Sequence, residues 1–492
     1  MKAIGAARLK IARIQFWKSW SISEGMRFGK SLMAIAMVGA SLLSVSCFED
    51  LDDNYREAST TEINDFIWRG LNYFYLYKGS VPNLQDNAFD SQGDKKAYLA
   101  SFDTPEDCFE ALTDLSDPFS LLVEDYLTLE NSLAGISLSN GMEYGLVYYP
   151  QDNSLIFGYV RYVLPGSDAA TQNLQRGMIF NRVDGTQLTA TNYNDLLSPD
   201  TYTLGWATFD GTEITPRSET TTLTKTQLSE NPVHKTAVFS ENGHTIGYLM
   251  YNGFTNEYDN DLNAAFGNFA AQGVNDLILD LRYNGGGSVR TATSLAGMIT
   301  GQFQGEIFFT EQWNADRQAQ YAEPGYFVST LANGAGLNSL GLTRVYVLTS
   351  GRTASASELV INGLKPYIDV VQIGLPTRGK YQASFLLYDA PAPSFNRNQA
   401  NTGHRYAMLP LVFKTLNAAG VTDYANGLTP DIELSEDFSN LGQLGQTSEP
   451  LLARAISEIL GQPLPFDQPP SRAREWSELQ VQSNALDGIM YR

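Results

Sequence analysis

The 492-residue sequence predicts a multidomain α+β protein: a helical domain, then a β-rich domain, then an α/β core. Three observations carry this. Residues 60–77 place bulky side chains at helical spacing. Residues 131–228 break into short apolar strands separated by turns. Residues 235–440 alternate strand and helix signals, the pattern of a layered α/β domain. The length itself argues for about three domains. A hydrophobic content of 43% and an aromatic content of 12% suffice for packed cores. The net charge of -21 argues against nucleic acid as a partner, because phosphates demand a basic face, and against broad binding to anionic lipid. The acidity reads as solubility. Two cysteines, Cys47 and Cys108, form no disulfide framework, and no CxxC or His/Cys cluster points to a metal. His234, His244 and His404 are scattered and read as ordinary residues. No cofactor is expected.

Residues 1–46 read as a leader. From Met26 the chain has basic residues (Arg27, Lys30), an apolar stretch, and small residues before Cys47, which is a secretory signal pattern. The cysteine makes it resemble a bacterial lipoprotein signal, with Cys47 lipidated, although Ser44 stands where leucine is usual. An ordinary signal or a membrane anchor is the alternative. Residues 47–59 read as a tether. Its acidic run, Glu49 to Asp53, resembles the surface-export signal of Bacteroidetes lipoproteins and equally suits a solvated linker. The expected location is the cell envelope, with the bilayer as a partner through Cys47.

The helical domain spans residues 60–130. A first helix from Ile63 stops near Gly79 and Pro82, and a second covers residues 105–115 behind Thr104 as N-cap. Asp117-Pro118-Phe119-Ser120 closes it with a turn. In the β-rich domain, residues 131–228, Pro165-Gly166-Ser167 turns the chain into a short helix, and Asp184-Gly185 makes a hairpin turn. That run, from Val163 to Gly185, resembles a PDZ domain. Such domains add a peptide as an extra strand and capture its carboxylate on loop amides. By position, Tyr144, Gly145 and Leu146 are the candidate carboxylate loop, and a plain strand end is the alternative.

The core spans residues 229–460. It opens with a strand over 245–250, a helix over 258–272 and an apolar strand over 276–281 that ends in Asn284-Gly285-Gly286-Gly287. A helix over 291–299 follows, and residues 303–340 read as an insertion or flap. The apolar run Val345–Leu348 is a buried strand leading through small residues into a helix near Ser357-Glu358. A serine at such a junction has its hydroxyl at the sheet edge beside free helix amides. No histidine is near, and neither a GxSxG elbow nor a Ser-x-x-Lys tetrad occurs. The candidate base is Lys380, which must be neutral to accept a proton and so needs burial. Ala356 N–H and Gly286 N–H are the candidate oxyanion donors. The tail, residues 461–492, reads as loosely packed.

These motifs together resemble the carboxyl-terminal processing (tail-specific) serine peptidases, over roughly residues 60–460. Thr353-Ala354-Ser355-Ala356-Ser357-Glu358 matches the family's S-A-S-A-S/A-E, and Thr377-Arg378-Gly379-Lys380 matches T-x-G-K at the family spacing. Asp280-Leu281-Arg282-Tyr283-Asn284-Gly285-Gly286 matches D-L-R-x-N-x-G-G, with Gly285 in place of proline. Asp117–Ser120 matches D-x-F-S, and Gly427–Asp431 matches G-x-x-P-D. The resemblance implies a ClpP/crotonase-like core, Ser355 as nucleophile, Lys380 as base, and protein or peptide C-termini as substrate. The family's lysine-orienting glutamine falls at Ser384, with Gln382 two residues away, so the third member is open. Ser357 is the rival to Ser355. A silent peptide-binding protein on this fold, or a small-ester or peptide hydrolase, are the alternative functions.

Overall fold

The computed structural model describes residues 56–150, 152–462, 477–479 and 488–492. The predicted leader and Cys47 lie outside the described residues.

Helix α1, Thr60–Phe74, starts at a capping box: Ser59 accepts from the Glu62 amide, and the Glu62 carboxylate accepts from Ser59 N–H at 2.8 Å. Its apolar face buries Ile63, Phe66, Ile67, Leu71 and Phe74, the helical spacing read from the sequence. A helix over Gln92–Leu99 has no counterpart in the sequence reading. The helix behind Thr104 covers Pro105–Ala111 and stops short of residue 115. The reason is local. The Asp114 amide is taken by the Tyr75 hydroxyl at 2.9 Å, and the Asp114 carboxylate turns the chain by accepting from Ser116 N–H.

The β-rich segment forms a sheet ordered Met142–Tyr149 (β1), Asp152–Val163 (β2), Ile179–Val183, Thr201–Phe209 and Ile214–Thr224. Neighbouring strands are antiparallel, and β1 lies at one edge. Its own apolar core includes Leu146, Val160, Phe180 and Trp206. Asp184 and Gly185 both have positive φ, as a tight hairpin demands.

The core sheet runs Val233–Glu241, His244–Tyr251 (β3), Asp276–Asp280 (β4), Arg344–Thr349 (β5), Asp369–Gly374 (β6) and Ile432–Glu433. Only the first pair is antiparallel. Strand β5 is buried from Val345 to Thr349, as its apolar run requires. Helix α2, Ala356–Leu364, follows it and is buried along its whole length.

A second sheet packs beside the first. Its strand Gln382–Ser384 (β7) pairs with Leu411–Asn417, which pairs with Ile307–Trp313. Residues 303–340 are therefore not simply a flap, because Phe308, Phe309 and Trp313 are buried in this sheet. The tail is not loose where it is described. Met490–Tyr491 (β8) sits between Gly287–Ser288 and β7, parallel to both, with Met490 fully buried. Residues 477–479 pair with β1. An unpaired backbone must find partners: Met490–Tyr491 finds them on both sides inside the second sheet, and residues 477–479 find them on the edge strand β1.

Candidate active site

Three loops leave the carboxyl ends of adjacent parallel strands, where α/β sheets place their ligand sites. β4 ends at Asp280 and runs into the glycine loop, β5 ends at Thr349 and runs into Ser355, and β6 ends at Gly374 and runs into Lys380. Backbone bonds lock them together. Ala354 N–H donates to Asn284 O at 3.1 Å, and Arg378 N–H to Thr353 O at 2.9 Å.

Ser355 precedes the first turn of α2 and holds φ 66° and ψ -116°. Only glycine adopts that region without strain, so the turn is over-determined by its surroundings. The chief restraint is Glu358. Its Oε2 accepts from Ser355 N–H at 2.7 Å and from Lys380 N–H at 2.9 Å, and its Oε1 accepts from Gly379 N–H at 2.7 Å and from the Thr377 hydroxyl. One buried carboxylate thus ties the serine turn to the lysine loop. Burial raises the Glu358 carboxyl and the four donors lower it; burial wins, and the carboxyl stands at about 7.

Lys380 is fully buried, and burial pushes its ammonium down to about 7. The Asp117 charge opposes that shift and the Arg378 charge assists it. The Nζ lies 5.3 Å from the centre of the Phe119 ring. Asp117 is fixed by the Tyr75 hydroxyl at 2.8 Å and by the amides of Phe119 and Ser120, each at 2.9 Å. The Asp-Pro-Phe-Ser turn from the helical segment therefore covers the lysine.

The heads of Ser355, Lys380 and Ser384 are all buried, and none has a hydrogen-bond partner among the described residues. The serine hydroxyl and the lysine amine are thus not bonded to each other, and neither Ser384 nor Gln382 bonds the lysine. Gln382 instead donates to the Tyr77 hydroxyl at 3.0 Å. The Ser357 hydroxyl donates to Asn284 O at 3.1 Å. Gly286 has φ 115°, and a methyl group there would lie 2.7 Å from Ser355 Oγ, so only glycine permits this approach. Its amide is engaged, donating to Asn284 Oδ1 at 2.9 Å. Ala356, the other expected donor, is the first residue of α2 and fully buried.

Tyr144, Gly145 and Leu146 lie within β1 rather than in a loop, because their backbone pairs with Val160, Tyr159 and Gly158. Tyr144 lines a cavity of about 460 Å³ shared with Gly285, Gly286, Gly287, Arg352 and Ile489. Gly145 and Leu146 do not line it.

The Glu358 junction was not read from the sequence beyond its place in the motif. Its signal was present, an acidic residue three positions after a serine at a helix start. Phe119 and Asn284 also stand in matched motifs, but their contacts with Lys380, Ala354 and Ser357 join segments distant in sequence and no motif states them.

A strained, buried serine beside a buried lysine of depressed pKa, in an α/β sheet, has the components of nucleophilic acyl transfer. The comparisons agree in class. The model of peptidase family S41 matches residues 245–434, and that of the peptidase S41 N-terminal domain matches residues 62–121. Together they match just over half of the sequence, and the chain belongs to peptidase family S41. It is 25% identical over 286 residues to a carboxyl-terminal-processing protease of Picosynechococcus sp., a match covering 56% of this chain and 64% of that one. It is 26% identical over 290 residues to the chloroplastic carboxyl-terminal-processing peptidase 2 of Arabidopsis thaliana, covering 56% and 52%. The chain thus spans between about half and two thirds of the length of these relatives. Among solved structures, a chain described as an S41 protease from Bacteroides fragilis matches at a TM-score of 0.62 and 28% identity, over 80% of this chain and 97% of that one.

Proposed function

We propose that the protein is a serine endopeptidase that trims polypeptides at or near their C-termini. In this reading Ser355 Oγ attacks the scissile carbonyl, and neutral Lys380 takes its proton as general base. The lysine gives that proton to the amine that leaves as the acyl-enzyme forms, then takes one from the water that attacks the ester and returns it to Ser355 Oγ. One observation carries the reading: Glu358 Oε2 accepts from the backbone N–H of both Ser355 and Lys380, which brings a strained serine and a buried lysine of pKa about 7 to one carboxylate. The bonded Ser357 hydroxyl favours Ser355 as nucleophile.

The site is at rest. The dyad bond forms and the Gly286 amide turns from Asn284 toward the oxyanion when a peptide enters the adjoining cavity. Ala356 N–H is the second donor. Ser384, buried on the strand after the lysine with no hydroxyl partner among the described residues, is the orienting group. The β-rich segment is PDZ-like and recruits the peptide, and Tyr144 on the cavity wall supports this. Lipidation at Cys47 would hold the enzyme at the cell envelope.

The test is mass spectrometry of polypeptides incubated with the protein. The wild type shortens them from the C-terminal side, and Ser355→Ala and Lys380→Met each lose about 1,000-fold or more of that activity. Equal processing by Ser355→Ala would sink the mechanism.

A further inference from the structure

Strand β1 lies at the edge of the β-rich sheet, yet part of that edge is occupied. Tyr148 N–H donates to Ser477 O at 3.0 Å, and Leu479 N–H donates to Leu146 O at 2.8 Å. Val147 and Glu478 face each other in an antiparallel bridge. Residues 477–479 thus add a short strand to β1, and Leu479 packs against the apolar core of the β-rich segment.

The side-chain chemistry is selective. The Glu478 carboxylate pairs with the Arg161 guanidinium and accepts from the Tyr159 hydroxyl at 3.0 Å. Arg161 is 2% exposed, and this is the one ion pair it makes among the described residues. The rings of Tyr283 and Tyr159 lie 5.4 and 5.6 Å from its guanidinium carbon. Room for the carboxylate comes from Gly145, where a methyl group would lie 2.5 Å from Glu478 Oε1. A buried cation left without its anion is costly, so an occupant of this edge must bring a negative charge.

We infer that the β1 edge is a peptide site selective for an acidic side chain followed by an apolar one, read by Arg161, and that Ser477–Leu479 is its resident ligand, held in cis. Polypeptides offering the same pair compete with the chain's own segment. The reading deepens the recruiting role proposed for the β-rich segment, and its test does not depend on turnover. Extended pairing supplies affinity without regard to sequence, and the Arg161 pocket supplies the choice.

The test uses the full chain with Ser355→Ala, so that no probe is cut, and the same chain with Glu478→Gln and Leu479→Ser added to loosen the resident segment. The probe is a fluorescein-labelled peptide of the sequence of residues 474–482, read by fluorescence anisotropy. The loosened chain binds it about tenfold or more tighter than the Ser355→Ala chain does. A peptide with glutamine at the glutamate corresponding to 478 binds about tenfold or more weaker. That comparison changes only the peptide, so it does not depend on a further variant of the chain folding. Equal binding of the two peptides, or no binding to the loosened chain, would make residues 477–479 a structural staple and overturn the inference.

Discussion

At the scale of single residues, the site rests on a strained serine and a shared carboxylate. Replacing Ser355 by glycine removes the strain of φ 66° along with the hydroxyl. Ser355→Gly is expected to raise stability by about 1–2 kcal/mol in denaturant titration while abolishing peptide cleavage. Glu358→Gln swaps an acceptor oxygen for an amide that faces N–H donors. It is expected to cost about 3 kcal/mol of stability and about 100-fold in kcat with KM little changed, because the two loops lose their register. Asp117 holds the Lys380 ammonium up against burial, so removing its charge lets the pKa fall further. Asp117→Asn therefore moves the acid limb of the pH–rate profile below about 7, the opposite of the shift expected from simple loosening and rehydration. Ser355 and Lys380 were legible as a pair because motif and spacing are local. That the Gly286 amide is bonded to Asn284, and the Ser384 hydroxyl to none of the described residues, depends on backbone geometry that no spacing encodes.

At the scale of elements, the strands of the core sheet follow the apolar runs closely, because burial on both faces leaves little choice of residue. The errors fall where partners are distant. Residues 307–313 read as insertion because their partner strand, Leu411–Asn417, is a hundred residues on in sequence. Strand β8 has only two residues and no pattern to read, yet it joins the glycine loop to the strand after the lysine. The Gly488 amide donates to Gly285 O at 2.9 Å, and the Arg492 amide to Ser384 O at 3.3 Å. Its place between two strands of the sheet and the burial of Met490 make it a supporting wall rather than a plug. Deleting residues 488–492 is thus expected to lower cleavage about tenfold or more and to lower the melting temperature. A gain of activity on deletion would instead mark the segment as inhibitory.

At the scale of the whole molecule, a buried charge network joins the β-rich segment to the core. Arg176 pairs with Glu436 at 2.6 Å, and fully buried Arg282 pairs with Asp280, Glu449 and Glu436 at 2.9, 2.7 and 3.1 Å. Burial alone would raise the Glu436 carboxyl, but the Arg176 and Arg282 charges hold it down at about 2. A depressed carboxylate contributes stability above its ordinary value of about 4.5, and loses it as pH falls toward about 2. That contribution is about 3 kcal/mol, and Glu436→Gln is expected to flatten the loss of stability across that window in pH-resolved melting. The same account makes activity depend on a neutral lysine. The most direct measurement is the rate of fluorophosphonate labelling, followed by intact mass and peptide mapping from about pH 5 to about pH 9. The account predicts a single adduct on Ser355, a rate that rises with a midpoint near pH 7, and labelling of Lys380→Met slower by about 100-fold or more. No adduct, an equal adduct on Ser355→Ala, or a rate indifferent to pH would contradict it.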